Sequence, residues 1–135
     1  MTDLRAMLEA SPRDSGGLPE HLLVECIEAA TDCLRICSLC ADACLAEDMV
    51  ADLRHCIRTN LDCADVCSAT AQVLSRPIGG DRNILRALLE ACRTACRACG
   101  DECSEHASMH EHCRICAEAC RRCEQACDAL LEALR

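Results

Sequence analysis

The chain contains no Phe, Trp or Tyr, no Lys, and only five Gly and three Pro among 135 residues. Without aromatic rings there is no surface on which nucleic-acid bases stack. All 14 basic residues are Arg, set against 23 acidic ones, so the formal net charge is -9. Phosphate backbones and anionic membrane surfaces both demand a basic face, and neither finds one here. No segment approaches the roughly 18 uninterrupted apolar residues of a membrane span. Met1 to Gly17 also lacks the apolar run of a secretory signal. These absences predict a cytoplasmic protein with neither nucleic acid nor membrane as a partner.

Cysteine is abundant instead, with 17 residues, a density at which composition alone marks a thiol scaffold or a metal store. In a reducing cytosol structural disulfides are rare, and an odd number cannot pair completely. The cysteines are therefore expected as thiols or metal thiolates. The length suits one hydrophobic core.

The few Gly and Pro residues divide the chain into helices. Thr2 to Ala10 reads as a short helix with Leu4 and Leu8 on one side, and Ser11 to Leu18 as a loop. Pro19 fits the first position of a helix, where its missing N–H costs nothing. No breaker follows until a turn near Glu47 to Val50. A second long helix is expected from about Ala51 to Ser75, stopped by the run Arg76-Pro77-Ile78-Gly79-Gly80. Asp81 or Asn83 can cap a third, ending near His106; after a turn at Ala107 to Glu111, the last runs from about His112 to Leu134. Long helices with short connections pack as antiparallel neighbours. The predicted fold is all-α, an up-down-up-down four-helix bundle over 19–135 with a short helix and loop over 1–18.

The cysteines follow one period. Cys33, Cys37, Cys40 and Cys44 are spaced four, three, four; so are Cys92, Cys96, Cys99 and Cys103, and Cys116, Cys120, Cys123 and Cys127. The second long helix repeats the frame as Cys56, Asn60, Cys63 and Cys67, with Asn in one slot. Cys26 and Cys113 fall in the same phase. Alternating steps of three and four put these side chains on one stripe of each helix. In a bundle that stripe holds the residues facing the central axis. All 17 cysteines are therefore predicted to line the inside of a tube. Passive packing explains this poorly, because each large-to-small exchange in a core costs about 2–5 kcal/mol.

Charge and softness choose the expected filling. Four thiolates around Zn(II) leave a formal charge of minus two, and several such units in one low-dielectric tube repel. One Cu(I) per thiolate is neutral, and thiolates select Cu(I) by softness. The spacings match no iron–sulfur motif. A row of many Cu(I) ions is the expectation.

The two ends of the tube should differ. The end with the first and third turns between long helices collects Met49, His55, His106, Met109, His110 and His112. His106 and His110 continue the Cys103 stripe in phase, so imidazole extends the sulfur lining as a mouth for ions. His112 is out of phase, directly before the stripe residue Cys113. At the other end Leu22, Leu23, Ile27, Leu74, Ile84, Leu85, Leu88, Leu130, Leu131 and Leu134 should close the tube. His21 lies there and is read as an ordinary surface residue. Gly100 is expected at a close helix contact. Ile36, Leu39, Ile57, Leu61 and Ile115 lie off the stripe and suggest an outer surface for subunit association.

From Pro19 to Leu134, the Cys-x3-Cys-x2-Cys-x3-Cys frame and the His/Met turn resemble the cytosolic bacterial copper storage proteins. In that family inward cysteines bind Cu(I) in a row, His and Met guard the open end, and the bundles form tetramers. The resemblance implies copper-binding thiolates at all 17 Cys positions, mouth ligands at His106, His110 and Met109, and a homotetramer. Copper ions are then the partner, delivered by a copper chaperone. Asn60 departs from the pattern. The alternatives are a zinc- or cadmium-buffering protein like metallothionein, and a thiol oxidoreductase. The second is disfavoured because pairs such as Cys37 and Cys40 sit inside a helix, and no buried carboxylate partner for the histidines is visible in sequence. The expected protein is not an enzyme.

Overall fold

The computed structural model describes residues 3–135. A short helix, α1 (Leu4–Ala10), begins where the Asp3 carboxylate accepts the Ala6 N–H at 2.9 Å. The Thr2 start expected for it lies outside the described residues. In the loop that follows, Gly16 has φ 66° and lies so close to the Pro77 carbonyl that a Cβ would stand 2.9 Å from its oxygen. Only glycine fits there without strain.

Four long helices follow: α2 (Glu20–Leu45), α3 (Arg54–Leu74), α4 (Arg82–His106) and α5 (Glu111–Ala133). At 1.5 Å per residue they are about 32 to 39 Å long. Their boundaries fall within a few residues of those expected. Pro19 sits just before the first helical residue rather than on it, with its carbonyl accepting the Leu23 N–H. The start of α3 is displaced from Ala51 to Arg54, because Val50–Leu53 winds as a 3-10 turn that carries Leu53 into the core. Asp81, one of the two expected caps, starts α4 by accepting from the N–H groups of Asn83 (2.8 Å) and Ile84 (3.4 Å).

The helices form a ring: α2 packs on α3, α3 on α4, α4 on α5, and α5 closes on α2. The sulfur register shows the antiparallel order. Between α2 and α5, Cys26 faces Cys127, Cys33 faces Cys120, Cys37 faces Cys116 and Cys40 faces Cys113. Between α3 and α4, Cys56 faces Cys103, Cys63 faces Cys96 and Cys67 faces Cys92. Gly100 marks a close approach, since a Cβ there would stand 3.0 Å from Nη1 of Arg121, whose guanidinium crosses to Asp101.

At the closed end Leu23, Leu74, Leu89 and Leu130 are fully or almost fully buried, with Ile27, Leu85 and Leu131 around them. The expected set is corrected at two positions. Ile84 is 58% exposed, whereas Leu89, absent from that set, is wholly buried. Leu85 and Leu89 precede Cys92 by seven and three residues and so share its stripe; Ile84, eight before it, does not. On the outside, Leu39, Leu61 and Ile115 are exposed, while Ile36 and Ile57 pack partly against the core. No helix among the described residues is long and apolar enough to cross a membrane.

Candidate metal centre

The period of three and four places every cysteine where the stripe analysis expects it. All 17 are free thiols, and none is more than 2% exposed. Neighbouring sulfurs lie 3.7 to 4.0 Å apart, as in Cys63–Cys96 (3.7 Å), Cys37–Cys120 (3.8 Å) and Cys67–Cys123 (4.0 Å). With a metal–thiolate bond of about 2.3 Å, sulfurs around one ion lie about 3.8 Å apart in a tetrahedron and about 4.0 Å in a plane of three. The observed sulfur separations match both geometries.

The sulfur groups overlap. Cys67, Cys92, Cys96 and Cys123 form one set; Cys33, Cys63, Cys67 and Cys96 form the next, sharing two members. Cys33, Cys37, Cys63 and Cys120 continue the series, followed by Cys37, Cys99, Cys116 and Cys120. Shared corners suit bridging thiolates better than separate closed tetrahedra. Among the described residues no arginine is buried beside these thiols to balance residual negative charge.

Asn60 sits fully buried inside this ladder. Its Oδ1 accepts from the thiols of Cys99 (3.1 Å), Cys103 (3.4 Å) and Cys116 (3.4 Å), and its Nδ2 lies 3.9 Å from the Cys56 sulfur. A neutral amide thus replaces one thiolate in the stripe without leaving an unsatisfied polar group.

Towards the open end Cys40, Cys44 and Cys113 meet the imidazole of His112. Its Nδ1 lies 3.4 Å from the Cys40 sulfur and 3.6 Å from that of Cys113. Burial, and then the neighbouring Cys40, push the Cys44 thiol up to about 11, and the same two causes raise Cys113. These thiols hold their protons at neutral pH until an ion displaces them. Burial works against a charged His112, but hydrogen bonds with Cys40 and Glu47 outweigh it and raise its pKa.

Each mouth histidine leans on a carboxylate. His112 Nε2 lies 2.8 Å from Glu47 Oε2, and His110 Nδ1 lies 3.0 Å from the same oxygen. The two rings stack with centroids 5.4 Å apart. His106 Nε2 lies 2.7 Å from Glu102 Oε2, and the exposed His55 reaches the other oxygen of Glu102 at 3.7 Å. The hydrogen bond from His112 holds the Glu47 carboxyl below its ordinary range. Of the expected mouth ligands, His110 is buried and His106 half-buried. Met109 is 66% exposed and stands outside the lining, because the turn that buries His110 directs its predecessor outward.

Sequence reasoning left three groups out of this site. His112 is one step off the stripe, yet as the second residue of α5 it reaches across to Cys40 on α2. Glu102, largely buried and four residues before His106, corrects the reading that the histidines lack a carboxylate partner, and its spacing was the signal that could have found it. Glu47 was not, because 65 residues separate it from His112 and only the packing of two turns joins them.

The copper storage protein family profile matches residues 20–132. Among solved structures, the chain is 57% identical to the copper storage protein of Streptomyces lividans loaded with 10 copper equivalents; the match covers 97% of this chain and 99% of that one, with a TM-score of 0.94. A cytosolic copper storage protein from Streptomyces lividans with five coppers is 62% identical over 83% of this chain and 93% of its own, with a TM-score of 0.82. The Cu(I)-bound copper storage protein 3 of Bacillus subtilis is 35% identical over 78% and 94%, with a TM-score of 0.70. No curated protein sequence matches.

Proposed function

The chain belongs to the copper storage protein family, and from that premise we propose that it stores many Cu(I) ions in the cytoplasm, held by its inward thiolates. One observation carries the assignment of ligands: all 17 cysteines are buried on the inward stripes, and sixteen of them lie within 4.0 Å of another sulfur. Each incoming Cu(I) replaces a thiol proton, so the core stays near neutral as it fills. Thiolate chains pass ions along by exchange between shared sulfurs. His106, His110 and His112 form the mouth, with Met109 at its solvent edge as the first soft donor an ion meets. The bundle over 19–135 holds the copper, and the described part of the preceding segment, 3–18, packs at its closed end.

The relatives' copper loading supports this reading over a zinc or cadmium buffer. Cys40, His112 and Glu47 also form a thiol–imidazole–carboxylate chain, the order of a nucleophilic triad. Cys40 is buried and faces Cys113 rather than a substrate cleft, so the chain is read as a metal site and the protein as a store without catalysis. Leu39, Leu61 and Ile115 provide an apolar outer face for a homotetramer, and a copper chaperone is the expected donor at the mouth.

Native mass spectrometry of the reduced protein tests the metal. Anaerobic Cu(I) should give a ladder of many ions per chain, against few or none with Zn(II). A zinc complement of about four per chain that Cu(I) fails to displace would overturn the assignment.

A further inference from the structure

Glu47 lies in the α2–α3 turn, outside the thiol tube, yet its Oε2 hydrogen-bonds with Nε2 of His112 at 2.8 Å and lies 3.0 Å from Nδ1 of His110. We propose that Glu47 is a positioning residue of the mouth, selecting which nitrogen of His112 keeps a lone pair for the metal. The proposal rests on the reading above, that the mouth handles Cu(I).

A neutral imidazole has one N–H and one lone pair, and an ionised carboxylate can only accept. A Glu carboxyl is ionised at neutral pH, and that of Glu47 meets His112 in a hydrogen bond. Whichever nitrogen faces it must therefore carry the hydrogen. For His112 that nitrogen is Nε2, 2.8 Å from Oε2. Nδ1 then keeps the lone pair and is already aimed at Cys40 and Cys113, 3.4 and 3.6 Å away. Nδ1 of His110 lies 3.0 Å from the same oxygen, and its ring stacks on that of His112 with centroids 5.4 Å apart. The carboxylate–histidine–metal arrangement has the same logic, and losing the carboxylate typically weakens metal binding by about 10- to 100-fold.

A plain alternative is that Glu47 only ties the α2–α3 turn to the α4–α5 turn. That role predicts a lower melting temperature without its carboxylate and nothing about ring nitrogens. Heteronuclear NMR of the imidazole nitrogens in the metal-free protein separates the two. Wild type should show His112 with hydrogen on Nε2. Glu47→Ala should leave His112 in mixed tautomers, and Glu47→Gln, whose side-chain oxygen still accepts, should restore the wild-type form in part. In anaerobic competition with a chelator, Glu47→Ala should lose about 10-fold or more in affinity for the weakest-held Cu(I) ions. Total capacity should change by no more than one or two ions. An unchanged His112 tautomer in Glu47→Ala, or an unchanged affinity with only a lower melting temperature, would overturn the proposal. If wild type bound no Cu(I) at all, the storage reading would fail while the tautomer result still decided what Glu47 does to the His112 ring.

Discussion

At one end of the tube Leu23, Leu89 and Leu130 are wholly buried; at the other, His106, His110 and His112 occupy the corresponding place and rest on Glu47 and Glu102. Both ends are built on helices of the same period, so the contrast lies only in which side chains occupy the inward face. Leucine burial contributes stability whether or not metal is present. Imidazole and carboxylate contribute little to a dry core but can hold and release ions. The comparison teaches a division of labour: the apolar end makes the tube, and the polar end admits its cargo.

The largest way to break this contrast is to damage the apolar end. Leu89→Ala should cost about 2–5 kcal/mol in the metal-free protein, as a fully buried leucine does. Chemical denaturation of the reduced apoprotein measures it. The double variant His106→Ala with His110→Ala should shift that midpoint far less, but should change the rate of Cu(I) uptake in stopped-flow transfer. His21→Ala, at the closed end, should leave uptake as in wild type. Equal rates in all three would remove the mouth from the mechanism.

The fold was legible because helix period and sparse Gly and Pro are local signals. Cys92, Cys96, Cys99 and Cys103 needed only their spacing to be placed on an inward stripe, and all are buried. The mouth was legible in part. His106 and His110 lie in phase with Cys103, whereas His112 lies beside the stripe and enters the site through its length and its position at the start of α5. Glu47 joins only through the packing of two turns, which no local spacing encodes. Leu53 is the same case, carried inward by a 3-10 turn where a regular helix was expected.

Asn60 offers a smaller test inside the tube. Asn60→Cys should add about one Cu(I), because one more thiolate completes the α3 frame. Quantitative copper analysis after gel filtration reads the difference. No gain would mean that the amide position cannot be used by sulfur.

A finer contrast between ends comes from pH. The Cys44 thiol is raised from 9.0 to about 11 chiefly by burial, so the native state keeps a proton that the unfolded chain gives up. Its contribution is whole below about 9 and is lost as pH rises through 11. Thermal unfolding of the metal-free protein should therefore weaken over that alkaline range. The Cu(I)-loaded protein, with the proton already displaced, should not show this loss. Parallel curves for the two forms would contradict the burial argument.

The most direct test is an anaerobic Cu(I) titration of the reduced protein against a competing chelator. Bridging thiolates in a near-neutral core should take up about one Cu(I) per cysteine, roughly 17 ions, with a few more at the mouth. Saturation at about four ions per chain, with Cu(I) held no more tightly than a divalent metal, would contradict it.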